Sequence, residues 1–381
     1  HLWNVYTTNA EFCTTASYWM PCINMLDEKS TWEIEISVPR KVKDIGTSKM
    51  IGQKEENVNS ILMQKMKKNK QGENENNEDD EEDDDDEEMW DEVDTNNPLN
   101  RDIVVCCSEY STVKEFAHPT DISKKVFAFQ IFNPVAPPHI GWAIGAFDYL
   151  DLPSVSAKDG VVEEEHEEND ENINHNPNNV AENDATDDIP IRVYTLPTKD
   201  VDEKMIINST IVCQRIMDFY SRDFGSYPFA SYSLVFLPTV VPEGMDFASL
   251  TIFNTRLLYP PSIIDPMFST TDKLPWALAN QWSGVNITPN DVDDIWCCMG
   301  MAGFMVFQAI KKLYGQNELR YRLKLFNEAI VDQDWEMQPL GSFFTDFSRP
   351  ISITSGDLDF IKFKAPMVLY ILDKRMTKTE R

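Results

Sequence analysis

A multidomain α+β fold is what this sequence predicts, with short strands in its first part and helices dominating the rest. Three observations carry the expectation. Thr31-Trp32-Glu33-Ile34-Glu35-Ile36-Ser37-Val38 alternates apolar and polar residues at period two, the mark of a half-buried strand. Val201–Phe219, Asp291–Tyr314, Asn317–Val331 and Asp359–Met376 instead space their apolar residues as helices do, with Gly315 between the second and third. Two acidic runs interrupt the pattern and divide the chain.

The chain has 381 residues and a formal net charge of −30, and those two runs carry nearly all of that charge. Residues 73–94 hold 16 acids and no bases, and residues 151–188 hold 13 acids and one lysine, Lys158. Without them 35 acids face 33 bases, so the rest is almost neutral. Like charges at such density repel and cannot bury a core, so both runs read as solvated insertions, with binding to basic partners as the alternative. Apolar residues make up 42% of the chain and nine are tryptophan, enough for a sizeable core. The organisation expected is residues 1–150 as a strand-rich domain with an acidic insertion at about 71–97, residues 151–188 as a linker, and residues 189–381 as an α/β domain. The chain starts His1-Leu2-Trp3 and reads as a fragment of a larger protein, with truncation of its second domain at the C-terminal end as one reading. Seven cysteines, an odd number with two adjacent pairs, read as reduced thiols. No apolar stretch reaches the length of a membrane span.

In chain order, Asp102–Cys107 and Lys125–Phe132 follow as strands in the first domain. Ile191–Leu196 and Ser231–Leu237 are strands of the second, followed by Glu243-Gly244-Met245-Asp246-Phe247-Ala248-Ser249-Leu250. About thirty residues later comes Trp276-Ala277-Leu278-Ala279-Asn280-Gln281-Trp282-Ser283-Gly284, a helix, then a loop, then the helix carrying Trp296 to Gly300. Asp291, Asp293 and Asp294 crowd a first turn, where acids suit the positive end of the helix dipole better than they suit a metal.

This order of landmarks resembles the gluzincin aminopeptidases of the aminopeptidase N type, over nearly the whole chain outside the acidic runs. Their zinc helix reads H-E-L-x-H-Q-W-F-G, and their exopeptidase strand reads G-A-M-E-N. The resemblance implies a partial N-terminal β-sandwich, entered by Ala16–Asn24 and left by Pro138–Phe147, followed by a thermolysin-like aminopeptidase-type domain. The chemistry does not carry over. Zinc needs imidazoles at i and i+4 of one helix and a carboxylate from the next, and a second carboxylate activates the bound water. Those positions fall on Trp276, Asn280, Met299 and, for the general base, Ala277. The exopeptidase glutamate, which holds the substrate's amino terminus, falls on Asp246, between Met245 and Phe247. The tyrosine that stabilises the tetrahedral intermediate falls on Lys362, or on Phe363 with a one-residue shift. None of the five histidines, at 1, 118, 139, 166 and 175, lies in this half of the chain. No catalytic residue, metal or cofactor is therefore expected, and Trp276 and Met299 are expected to fill the volume that zinc and water occupy in the enzymes.

One non-catalytic branch of these enzymes belongs to the TATA-binding-protein-associated factors of general transcription factor TFIID. Trp19-Met20-Pro21-Cys22, Asn280-Gln281-Trp282 and Leu257-Leu258-Tyr259 are similar to it. This resemblance implies a nuclear scaffold supporting core promoter recognition at the initiator and assembly of the RNA polymerase II pre-initiation complex. Its implied partners are TATA-binding protein, other TFIID subunits (the largest associated factor and the eighth) and promoter DNA near the initiator, with no membrane. Arg320, Arg322, Lys324, Lys374 and Arg375 are the phosphate-contact candidates, although near-neutrality favours solvated helix faces for them. The competing readings are a zinc-dependent aminopeptidase and a peptide-binding pseudo-peptidase unrelated to transcription.

Overall fold

The structure is a computed structural model that describes residues 3–8, 16–23, 25–47, 97–153, 189–240, 244–337, 339–342 and 355–379. Both acidic runs, apart from 151–153, lie outside the described residues. Eleven strands are described: β1 Asn4–Tyr6, β2 Ser30–Pro39, β3 Val104–Cys107, β4 Lys114–Ala117, β5 Lys124–Val135, β6 Trp142–Gly145, β7 Asp148–Asp151, β8 Ile191–Thr195, β9 Tyr232–Leu237, β10 Gly244–Phe247 and β11 Leu250–Asn254. The α-helices are α1 Glu203–Thr210, α2 Val212–Asp223, α3 Asp265–Trp282, α4 Ile295–Gln333 and α5 Ser355–Thr379. Among the described residues no helix is long and apolar enough to cross a membrane.

The chain divides into two compact units. One comprises residues 36–103 and 115–127, the other residues 1–35, 104–114 and 128–381. Three sheets are described, ordered β2-β5-β4, β1-β6-β3 and β10-β11-β9-β8-β7, the last two in the larger unit. In the five-stranded sheet β9 runs parallel to β8 and to β11, and the β8-to-β9 crossover is made by α1 and α2. A parallel pair requires such a crossover. β7 pairs antiparallel with β8, Tyr149 opposite Tyr194, so the acidic run at 154–188 connects two neighbouring strands of one sheet. The strands β9 and β11 are buried at every position, as a central strand covered on both faces must be.

Local signals account for the helix ends. The Asp202 side chain accepts from the Met205 amide and starts α1. The expected single helix from Val201 to Phe219 is two, meeting at Ile211. The expected helix from Asp291 begins as a 3-10 turn, Val292–Asp294, whose amide of Asp293 is accepted by the Asp291 carboxylate. Asp294, at the N-cap of α4, makes no side-chain cap bond. Within α4, Gly315 adopts φ 87° and ψ 171° and folds the helix into two arms, as its position between two helical patterns predicts. The core of the larger unit packs α2, α3 and α4 with the sheet through Tyr220, Phe236, Leu278, Trp282 and Phe307.

The Gly315 conformation is essentially closed to residues with a Cβ. Gly315→Ala is expected to lower stability by roughly 1–3 kcal/mol, read by urea unfolding. An unchanged midpoint would mean that the turn relaxes freely.

Candidate functional site: a degenerate zinc cleft

α3 forms one wall of the candidate site. It runs Trp276, Ala277 and Asn280 along the face turned to one cavity of about 560 Å³. Met245 and Asp246 on β10, Met299 on α4, and Lys362 and Phe363 on α5 line the same cavity. Seven of the eight degenerate positions therefore surround a single space. Phe247 is the exception. It is buried, 1% exposed, and packs on Gly141, where an added Cβ would sit 2.2 Å from the Phe247 ring. The positions read from sequence as zinc ligand, general base, amine anchor and oxyanion group thus line one cavity, where the zinc-ligand and general-base positions carry indole, amide, thioether and methyl groups.

The two polar survivors bind each other. Asn280 Nδ2 donates to Asp246 Oδ2 at 2.6 Å. Thr251 Oγ1 donates to Asp246 Oδ1 at 2.8 Å, and the Tyr232 hydroxyl completes the chain at 2.7 Å from Thr251 Oγ1. With its proton committed to Asp246, Thr251 accepts from Tyr232. One turn of chemistry further along, Gln281 clamps the strand itself. Its Nε2 donates to the Phe247 carbonyl at 3.0 Å and its Oε1 accepts from the Ser249 amide at 2.9 Å, all fully buried. Ser249 has φ 52° and Glu109 φ 59°, and they meet: the Glu109 amide donates to Ser249 Oγ at 2.5 Å. The Glu109 carboxylate accepts from the Ala230 amide at 3.0 Å. Burial pushes its pKa up, and those amide bonds oppose the rise.

Zinc does not fit here. Indole and methyl offer no ligand atom to zinc and a thioether is a poor one, which leaves the amide oxygen of Asn280, a weak single ligand on a side chain whose nitrogen is bonded to Asp246. Among the described residues no group of three or more His, Cys, Asp and Glu is placed to hold a metal. Trp276 and Met299, expected to fill the volume of zinc and water, both line the cavity and do not close it. The reason is that both are engaged elsewhere. The Trp276 ring presses on Gly303, where a Cβ would lie 2.7 Å from it, and Met299 packs with Leu358, Ile361 and Ala365 of α5.

Two cavity groups went unread in the sequence. His139 is 9% exposed with its Nδ1 unpartnered, and burial lowers its pKa to about 4, helped by nearby Lys29. Cys298, raised to about 11 by burial and by Cys297, stays a thiol. Only the Pro137-Pro138 turn before His139 marked the place. Among the described residues the cysteines at 106, 107, 213, 297 and 298 are free.

The basic candidates do not form one patch. Arg322 is 8% exposed and ion-paired to Glu318 and Asp272, so the phosphate-contact expectation fails for it. Lys324 pairs with Glu328 at 3.6 Å, and Lys374 with Asp373 at 3.1 Å while lying over the Tyr370 ring. Arg320 and Arg375 are exposed.

Comparison with known proteins fits this geometry. The family described as Peptidase family M1 domain matches residues 209–346. A Deinococcus radiodurans M1 zinc metallopeptidase, solved as a variant bound to a Tyr-Ser-Ala substrate, superposes with TM-score 0.54 at 14% identity, over 96% of this chain and 57% of that one. The fold is that of an M1 peptidase. TFIID subunit 2 of Saccharomyces cerevisiae is 54% identical over 100% of this chain, which covers 30% of that protein. The chain belongs to the TFIID subunit 2 family. The Schizosaccharomyces pombe member is 29% identical over 99% of this chain and 29% of its own length. Human endoplasmic reticulum aminopeptidase 2 is 27% identical over 43% of this chain. The chain thus spans about a third of the length of these TFIID subunit 2 relatives.

Replacing Gln281 with Leu would strand a buried amide and a buried carbonyl. A loss of about 2–4 kcal/mol is expected, with Gln281→Glu costing comparably because a carboxylate cannot donate to Phe247. A melting temperature within a degree of the parent would show that water replaces the clamp. His139 gives a pH signature. Its folded pKa lies near 4, below the ordinary 6.5, so between those values the unfolded chain binds more protons and folding weakens as pH falls. His139→Phe should remove on the order of 2–3 kcal/mol of that acid-side decline between pH 7 and pH 4, measured by urea titrations at each pH. Parallel stability curves for the two proteins would refute it.

Proposed function

We propose that the chain is part of a non-catalytic scaffold subunit of TFIID, acting in the nucleus in core promoter recognition and pre-initiation complex assembly. The observation that carries this reading is 54% identity over the full chain to a TFIID subunit 2, joined to a zinc cleft whose ligand positions hold Trp276, Asn280 and Met299. The M1 fold supplies the shape of a peptidase without its donor atoms. With Ala277 in place of the general base, no residue at that position can activate a water. The cleft residues serve as packing between α3, α4, α5 and the hairpin β10–β11. Its partners on this reading are the other TFIID subunits, TATA-binding protein, and promoter DNA near the initiator, reached through exposed Arg320, Lys324, Lys374 and Arg375.

The purified protein, dialysed and measured by elemental analysis, is expected to hold far less than one zinc per chain and to leave aminoacyl amides unhydrolysed. Affinity purification from nuclear extract should recover TATA-binding protein. Stoichiometric zinc with hydrolysis would restore the aminopeptidase reading. Absence of TATA-binding protein from the recovered material would favour a pseudo-peptidase outside transcription.

A further inference from the structure

We propose that the degenerate cleft is a ligand site for a small uncharged molecule, one with an apolar body and a single hydrogen-bond acceptor received by His139. The inference stands apart from the scaffold reading. A cavity of about 560 Å³ lies within the usual size of small-molecule sites, which are mostly apolar with a few placed polar groups. Trp276, Met245, Met299 and Phe253 supply the apolar walls.

The polar groups favour a neutral guest. Both oxygens of Asp246 already accept bonds, from Asn280 and Thr251, so an ammonium would have to compete with two donors that hold the carboxylate in place. Asp272 and Asp359 line the cavity together with Lys273 and Lys362, and Asp272 is ion-paired to Arg322, so with Asp246 three acids are set against three bases. Cys298 lines the cavity as a neutral thiol, and His139 is neutral at physiological pH because of burial and of Lys29 beside it.

His139 is the group still in need of a partner. It lines the cavity and is 9% exposed, and its Nδ1 is sealed and unpaired. An orphaned buried N–H is rarer and costlier than an orphaned lone pair. The proton therefore sits on Nε2, and the accessible edge of the ring offers a donor. A carbonyl or ether oxygen on a guest would satisfy it.

The test uses three probes, acetophenone, ethylbenzene and phenylalanine amide, titrated by ligand-observed NMR against the purified protein at pH 7.5. The first two have nearly the same apolar body, and only acetophenone carries an acceptor. Acetophenone should bind about three- to tenfold more tightly than ethylbenzene, the usual worth of one hydrogen bond. His139→Phe should bring acetophenone down to the ethylbenzene level while ethylbenzene itself is unchanged, which also reports that the variant is folded. Should that variant not fold, the two-probe comparison in the unaltered protein decides alone. Equal binding of acetophenone and ethylbenzene overturns the proposal. So does tightest binding of phenylalanine amide, which would place an amine at Asp246, and so does the absence of binding by all three.

Discussion

The junction that the rest of the site depends on is the pair of amide side chains at the end of α3. Gln281 holds the Phe247 carbonyl and the Ser249 amide, and Asn280 holds Asp246. Both reach the same hairpin, β10–β11, from consecutive residues of one helix. The hairpin turn needs that grip because Ser249 sits at positive φ, a conformation that costs a non-glycine residue energy and persists only where its surroundings fix it. Glu109, equally unusual, meets Ser249 from the other side and carries the strain into the loop at Ala230 and Ser231. A buried network of this kind is rigid when every member is paired and costly when one is lost.

The same junction supplies neutral partners to the carboxylate that lines the cavity of this M1 peptidase fold. In a zinc site the ion balances carboxylates and orients its ligands. Here one carboxylate remains on the strand, and neutral donors balance it: the amide of Asn280, and a hydroxyl chain running through Thr251 to buried Tyr232. Charge is compensated by dipoles rather than by an ion. Restoring the imidazoles at 276 and 280 alone would break that balance. The Asp246 oxygen would lose its amide donor, and Gly303 and Pro366 would lose the ring packed against them.

How much of this was legible depends on whether the cause was local. The helix at 276–282, the break at Gly315 and the strand at 31–38 follow from spacing and from glycine; the break stands where the sequence placed it, while the strand extends to 30–39 and the helix starts earlier, at Asp265. The grouping of the cleft positions also followed, because a resemblance fixes order and the fold turns order into proximity. What failed was non-local. A helix end at Ile211 has no glycine or proline to announce it. The pairing of β7 with β8 spans an acidic run that hides any relation between its flanks. Arg322 looked like a surface cation because nothing near it in sequence tells of Asp272, fifty residues earlier, which helps bury it. His139 was counted only as a histidine absent from the wrong half, yet the fold returns it to the cleft.

The persistence of the cavity has a packing cause of its own. A void beside a core costs stability in proportion to its volume, so large apolar replacements would be expected to collapse into it. Trp276 cannot, since its ring is wedged where α4 and α5 cross, against a glycine whose Cβ would clash with Pro366 at 2.2 Å. Met299 cannot, since it belongs to the cluster with Ile295, Leu358 and Ile361 that holds α5 onto α4. The other walls are set by Asp246 and Asn280, which are fixed by each other. Each of these side chains is thus held at the edge of the space by a contact of its own, and the cleft keeps its volume.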